Sequence, residues 1–225
     1  MLEIKQYSKQ EIAEILGTSN TQSINCKLQR YNVDFETTGW GNNRIYTIKK
    51  LNDPFKVFSI TEMGISANAD FCKLKYIFLY LLNDDEFATL PMVEMQNILN
   101  SKGIYISRQT ISKWINYLNS IDYIHRDRYT FHYYAVSKTE NNQKQYRVIT
   151  KEEYCEAWKI YWEQKEIDQL EGNETTETAY AYMYQYLDGH PCKVPIIKKN
   201  GIYLNKINQL IEIINDEFLN SFIFK

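Results

Sequence analysis

Residues 7–17 read Tyr-Ser-Lys-Gln-Glu-Ile-Ala-Glu-Ile-Leu-Gly, and this stretch decides how the fold begins. Ser8 and Glu11 have the spacing of a capping box, in which a hydroxyl and a carboxylate each satisfy one unpaired backbone N–H at a helix start. Three isoleucine and leucine side chains follow at helical spacing. Gly17 tolerates the left-handed conformation that often ends a helix. The stretch therefore predicts a short amphipathic helix between Ser8 and Gly17.

A second helix and a hairpin are predicted directly after this helix. Apolar residues recur at i, i+4 and i+7 within residues 21–31, behind a polar turn at 18–20. Residues 34–38 and 44–49 are β-rich and flank a glycine-containing turn. Two short helices followed by a hairpin make a winged helix-turn-helix, which we predict for residues 1–50.

Residues 7–17 resemble the opening of the MerR-like and excisionase-like winged helix-turn-helix domains. In that family the second helix lies in the major groove of DNA, and the wing touches the backbone or the minor groove. A winged helix used for a protein contact is the alternative. The DNA contacts that the resemblance implies are Gln22, Asn25, Lys27, Gln29, Arg30 and Arg44.

A second module is predicted for residues 71–150, after a connector at 51–70. Residues 71–82 are apolar on nearly every side, Pro91 favours the start of another helix, and Ser107 can cap a third helix at 108–120. Residues 123–134 and 147–149 are predicted as paired wing strands. Amide, hydroxyl and cationic groups suit base edges and phosphates. The candidate DNA contacts of this type are Arg108, Gln109, Ser112, Lys113, Asn116, Arg126 and Arg128.

Residues 107–115, Ser-Arg-Gln-Thr-Ile-Ser-Lys-Trp-Ile, resemble the recognition helix of winged-helix domains in replication initiators and regulators. The domains in question belong to phages and plasmids of low-GC Gram-positive bacteria. The resemblance implies that this helix reads DNA. An aromatic-rich core helix with a solvated polar face is the alternative.

Residues 151–225 are predicted as a helical region that dimerises or binds a partner. Helices are expected at 151–169, packed on the second wing, at 180–186 and at 205–222, and Asn200-Gly201 indicates a hairpin. The last helix carries an apolar seam that either completes the core or meets its copy in another subunit. The predicted dimer contacts along this seam are Ile207, Ile211, Ile214 and Phe218.

The charge of the chain is unevenly distributed. The whole chain has 26 Lys and Arg residues and 28 Asp and Glu residues, and this near balance argues against a general polyanion binder. Residues 1–50 and 101–150 carry net charges of +2 and +5, whereas 51–100 and 151–225 carry −4 and −5. The positive segments contain the helices that are predicted to read DNA. Positive charge is needed at such helices, because the phosphate backbone of DNA is negative.

No catalytic or metal motif is recognisable in the sequence. The four cysteines are isolated, and the three histidines lack metal-site spacing. His-Glu-x-x-His, Gly-x-Ser-x-Gly and a phosphate-binding glycine loop are absent. We therefore expect no enzyme, no cofactor and no metal. Because no signal peptide or long apolar run is present, we also expect a cytoplasmic protein without membrane contact.

Two functional hypotheses follow from these patterns. The first is sequence-specific binding of double-stranded DNA by a transcriptional regulator or replication-associated protein of a phage or other mobile element. The second is an anti-defence, anti-CRISPR-like inhibitor that binds a host protein and regulates its own gene through its helix-turn-helix. Under both, the expected fold is mainly α with small β wings (α+β): tandem winged helix-turn-helix modules followed by a helical carboxy-terminal region.

Overall fold

The computed structural model describes residues 2–172 and 175–223, with the backbone alone for 220–223. Helices and short antiparallel strands combine, so the fold is α+β, as the sequence predicts. The chain forms two compact units. The first contains the residues up to 83, residues 120–123 and those from 200 onward, and the second contains 84–119 and 124–199. Among the described residues, no helix is both long enough and apolar enough to cross a membrane.

The first unit begins with two short helices and a three-stranded sheet. Its opening elements are β1 (Gln6–Ser8), α1 (Lys9–Leu16), α2 (Thr21–Arg30), β2 (Val33–Thr38) and β3 (Ile45–Leu51). The sheet is antiparallel in the order β1-β3-β2, with Tyr7 opposite Tyr46 and Glu36 opposite Thr47. Both helices and the β2–β3 hairpin confirm the predicted elements. Strand β1 is too short for its sequence to show alternation.

Local capping explains where α1 and α2 begin. The Ser8 hydroxyl accepts from the Glu11 N–H at 3.2 Å, and the Glu11 carboxylate accepts from the Ser8 N–H at 2.7 Å. Gly17 ends α1 with φ 61°, in the left-handed region. The Asn20 side chain accepts from the first N–H groups of α2. These bonds satisfy donors that have no partner inside the helix, so both helix starts are well defined.

The apolar faces of α1 and α2 pack on the sheet and form one core. Tyr46 of β3 is fully buried at its centre, and Ile12 and Ile24 supply the contacts from the two helices. The buried members of this core are Leu2, Tyr7, Ile12, Leu16, Ile24, Leu28, Tyr31, Val33, Tyr46, Ile48 and Val57.

Helices α3 (Pro54–Thr61), α4 (Phe71–Asn83) and α9 (Leu204–Ile223) complete the first unit. The predicted connector is wrong at residues 54–61, because Asp53 caps α3 and the side chains of Phe55 and Phe58 are buried. Helix α9 packs on α3 and α4. Its Glu217 accepts from the Phe55 N–H at 2.7 Å and forms an ion pair with Lys75, which fastens the three helices together.

The apolar seam of α9 lies largely inside this unit. Ile207 and Ile214 are completely buried, Ile211 is half-buried, and the Phe218 ring centre lies 4.9 Å from that of Tyr76 on α4. The assignment of Ile207 and Ile214 to a dimer contact is therefore corrected. A helix that packs in its own core needs the same apolar spacing as one that packs on a second subunit. A homodimer stays a prediction that these two residues do not support.

Among its described residues the second unit contains four α-helices and three strands, including all of α6 except its last residue. They are α5 (Met92–Ser101), α6 (Arg108–Ser120), β4 (Ile124–Lys138), β5 (Lys144–Ile149), α7 (Lys151–Leu170), α8 (Glu177–Leu187) and β6 (His190–Lys199). The strands form an antiparallel sheet of order β5-β4-β6. Helices α7 and α8 pack on it around Ala135, Ile149, Ala157 and Met183. The predicted β4–β5 pairing, both helices and the packing of α7 on the wing are confirmed.

The hairpin predicted at Asn200-Gly201 is wrong. The preceding strand, β6, pairs with β4 instead, so that Val194 lies opposite His132. Asn200 accepts from the Ile202 N–H at 3.1 Å and opens a 3-10 turn (Gly201–Tyr203) that leads directly into α9. The Asn-Gly pair thus marks a turn from strand to helix.

The predicted segment boundaries also differ from the two units. Helix α4 belongs to the first unit, whereas α5 and most of α6 belong to the second. The chain enters the second unit after residue 83 and returns to the first for α9. The two units thus divide the chain at other residues than the predicted segments do.

Candidate nucleic-acid interface

Helix α2 presents one polar face to solvent. Its Ile24 and Leu28 side chains are buried, so the residues on the opposite side are turned outward. At its start the helix borders an open concavity of about 630 Å³. We call the lining side chains together with Gln29 the first polar surface: Lys9, Ser19, Asn20, Thr21, Gln22, Asn25, Cys26 and Gln29.

Asn25 and Lys9 give the first polar surface its capacity to bind. The Asn25 Oδ1 atom is enclosed, and it has no hydrogen-bond partner among the described residues. An unpaired buried acceptor costs about 1–3 kcal/mol. Lys9 forms no ion pair with any residue that the structure describes. Both residues line the same concavity, and the ammonium group of Lys9 is the cation there.

Lys27 is not among the side chains that line this concavity, and the structure gives it a contact with α1. Its ammonium group donates to the carbonyl oxygen of Leu16 at 2.6 Å. Leu16 is the last residue of α1, where unpaired carbonyl groups attract a cation. Lys27 thus holds α2 against the end of α1. Its sequence position on α2 did not reveal this role, because the role depends on the packing of α1.

Arg30 and Arg44 also lie outside the first polar surface. The Arg30 guanidinium donates to the side-chain oxygen of Asn68. Arg44 is half-buried at the start of the wing strand β3, and its carbonyl accepts from the Lys9 N–H at 3.0 Å. The structure therefore brings Gln22, Asn25 and Gln29 together, but not these two arginines.

Helix α6 presents a second polar face. Its buried Ile111, Ile115 and Leu118 side chains leave the opposite side open. Asn116 and Asn119 line a concavity of about 550 Å³ together with residues of β4 and β6. We call the polar side chains of this region the second polar surface: Arg108, Gln109, Ser112, Lys113, Asn116, Asn119, His125, Arg126 and Arg128.

Two arginines of the second polar surface, Arg126 and Arg128, flank and enter a bulge rather than a regular strand. Arg126 pairs with Ile197 and Phe131 pairs with Pro195, so residues 127–130 lie opposite Ile196 alone. We call residues 127–130 the β4 bulge. Pro195 has no N–H to donate to the ladder, which favours an interruption at this point. The Arg126 guanidinium reaches the Asn116 side-chain oxygen at 3.5 Å, which joins the bulge to α6.

Asp127 holds the β4 bulge in one conformation. Its carboxylate accepts from the Tyr129 N–H at 2.9 Å, from the Thr130 hydroxyl at 2.8 Å and from the Lys198 ammonium at 2.7 Å. These bonds, led by the one from Lys198, hold the pKa of Asp127 far below its usual range. The carboxylate therefore stays charged at neutral pH. Because Lys198 compensates that charge, the neighbouring arginines determine the sign of the surface.

Sequence reasoning missed several members of the two surfaces. Lys9 lies in the capping motif, and Cys26 falls on the outer face by helical spacing, yet neither stood out by residue type. Asn119 follows the same spacing one turn beyond Asn116. The β4 bulge gave no signal either, because a bulge is not visible in an alternating pattern. Among the described residues, no three His, Cys, Asp or Glu side chains are grouped so that they could hold a metal ion.

Comparison with known proteins gives no relative for this chain. No protein-family model matches the sequence, and no curated protein or solved structure is significantly similar to it. What the two polar surfaces bind must therefore be inferred from their own residues.

Proposed function

We propose that this protein binds double-stranded DNA in a sequence-specific manner through two winged helix-turn-helix modules. Its role would be that of a regulator or replication-associated protein of a phage or other mobile element. The observation that carries the proposal is the second polar surface, where amides and arginines line one concavity. Among the described residues, neither Arg126 nor Arg128 pairs with a carboxylate.

The chemistry of α6 suits the major groove of DNA. An α-helix fits that groove, and an Asn or Gln amide can form two hydrogen bonds with an adenine edge. Gln109 and Asn116 are exposed on one face of α6, with Lys113 between them. Arg126 and Arg128 extend the same surface with positive charge, which suits phosphates beside the groove. Helix α6 would contact the base edges, while the arginines at the bulge would contact the phosphate backbone of the DNA.

The first polar surface supports the same function with a smaller set of groups. Gln22 and Asn25 are one helical turn apart on α2, and Lys9 lies beside the start of that helix. The order of helix, helix and hairpin is that of the MerR-like domains that residues 7–17 resemble. Since each surface alone contacts few phosphates, we infer that both contribute to affinity.

Binding of the full chain to duplex DNA is expected to weaken steeply with salt. If about six phosphates are neutralised, a plot of log K against log salt concentration has a slope near −5, because counterions are released on binding. A fluorescence anisotropy titration at several salt concentrations measures this slope. A flat response would contradict DNA as the ligand.

Two lysine variants provide matched controls for this titration. Lys9→Met should make the slope shallower by about one unit, because one phosphate contact is lost. Lys27→Met should leave the slope unchanged but lower the stability by about 1 kcal/mol, because the bond to the end of α1 is lost. Equal salt effects from both variants would contradict the different roles that their contacts assign to them.

The inhibitor hypothesis is the second candidate, and the exposed side of α7 favours it. Trp162, Ile167 and Leu170 are 57%, 46% and 84% exposed. Glu163 and Glu166 are exposed on the same helix. Apolar side chains beside carboxylates suit a partner protein with a basic, apolar surface.

Capture from a bacterial lysate, with and without nuclease, separates the two functions. A DNA-binding protein loses its captured material after nuclease treatment. An inhibitor keeps a defined host protein, and Leu170→Glu then removes that protein without changing DNA binding. Capture that disappears with nuclease and is unaffected by Leu170→Glu would eliminate the inhibitor hypothesis.

A further inference from the structure

Tyr129 is presented to solvent at the β4 bulge. Its side chain is 94% exposed, more than any other large apolar or aromatic side chain that the structure describes. Phe131, two residues further along β4, is only half-exposed and lies under the ammonium group of Lys193, at 4.8 Å from its ring centre. Tyr129 thus stands away from the sheet, whereas the next aromatic ring packs on it.

The backbone that carries Tyr129 is held by hydrogen bonds to one carboxylate, that of Asp127. The Tyr129 N–H itself donates to Asp127, and the Thr130 hydroxyl and the Lys198 ammonium bind the same carboxylate. A flexible loop would lose conformational entropy on binding a ligand, whereas a loop that is already ordered loses little. The bulge therefore holds an exposed ring in place without burying it.

The surroundings of Tyr129 are cationic and polar. His125, Arg126, Arg128 and Thr130 are all exposed around it. Apolar neighbours are few: Phe131 and Pro195 line the adjoining concavity, and its other side chains are polar or charged. A planar ring next to two exposed arginines matches a nucleic acid, whose bases stack on aromatic rings while its phosphates attract guanidinium groups.

We propose that Tyr129 inserts into the base stack of a DNA duplex bound at the second polar surface, so that the protein prefers DNA whose stacking is locally weakened. This inference rests on the proposed function. Side chains that act as wedges unstack a base step and kink the duplex. The unstacking costs least at a mismatched base pair, so a mismatch should attract the ring.

The test uses the full chain and two duplexes that are identical except for one thymine–thymine mismatch. The parent protein should bind the mismatched duplex about tenfold more tightly, because unstacking costs less at the mismatch. Tyr129→Ala should bind both duplexes equally, and Tyr129→Phe should keep the preference because it keeps the ring. A 2-aminopurine placed beside the mismatch should change its fluorescence with the parent and with Tyr129→Phe, but not with Tyr129→Ala.

Two further variants separate insertion from general effects on folding. Tyr182→Ala removes another exposed tyrosine, 51% exposed on α8, and should keep the preference. Asp127→Ala releases the bulge and should lose part of the preference while the circular dichroism spectrum stays that of the parent. If parent and Tyr129→Ala bind with the usual salt dependence but share the same preference, the insertion is wrong and DNA binding stands. If the parent binds neither duplex, the proposed function fails, and the insertion fails with it.

Discussion

Replacing Ile214 with alanine is expected to lower the free energy of unfolding of the first unit by about 2–5 kcal/mol. Ile214 is completely buried, on a helix that packs against α3 and α4. Removal of its side chain beyond Cβ loses apolar burial and leaves a cavity that the neighbouring helices fill only in part. Urea unfolding followed by circular dichroism measures the change.

Leu219→Ala is the matched control for this variant. Leu219 lies on the same helix and is 62% exposed, so its replacement should change the stability by no more than about 0.5 kcal/mol. Sedimentation of both variants tests the dimer assignment that we have corrected. If Ile214→Ala converted a dimer into a monomer of unchanged stability, the seam would join two copies and our correction would be wrong.

The elements of this fold that depend on neighbouring residues could be predicted from the sequence. The capping box of Ser8 and Glu11 and the left-handed Gly17 act within a few residues, and the structure has all three as expected. Helix α6 was predicted because Ile111 and Ile115 recur at the spacing of one buried face. Short-range hydrogen bonds and helical periodicity are visible in any linear sequence.

Contacts between distant segments could not be predicted in the same way. Strand β6 pairs with β4 across more than fifty intervening residues, and α9 returns to cover α3. An Asn-Gly pair favours a hairpin only if the strand before it has no better partner elsewhere. Here β4 is that partner, and Asn200 starts a turn into a helix instead.

The candidate site shows the same limit. The polar face of α6 follows from spacing alone, and the basic character of residues 125–128 is evident in the sequence. The β4 bulge is not evident, because it depends on Pro195 in a strand far along the chain. Lys27 was predicted to contact DNA because it is a cation on α2. In the structure it donates to the carbonyl group of Leu16, a contact that only the packing of two helices reveals.

Arg126→Ala and Arg128→Ala are expected to weaken binding to every duplex and to make the salt slope shallower by about one unit each. Both side chains are exposed and have no carboxylate partner among the described residues, so each is available to a phosphate. Titration against a selected site and a scrambled duplex, at two salt concentrations, measures both quantities. Loss of affinity for the selected site alone would show that these arginines read bases.

Gln109→Ala and Asn116→Ala should instead change the discrimination between DNA sequences and leave the salt dependence of binding nearly unchanged. Each removes an amide that can pair with adenine, so discrimination between the two duplexes should fall by about 1–3 kcal/mol while the salt slope stays nearly intact. Gln109 gives the cleaner measurement, because Asn116 also accepts from Arg126 at 3.5 Å. A double-mutant cycle of Asn116 and Arg126 should therefore show coupling, whereas one of Gln109 and Arg128 should be additive. If all four single variants bind both duplexes as the parent does, the second polar surface does not bind DNA, and the inhibitor hypothesis takes first place.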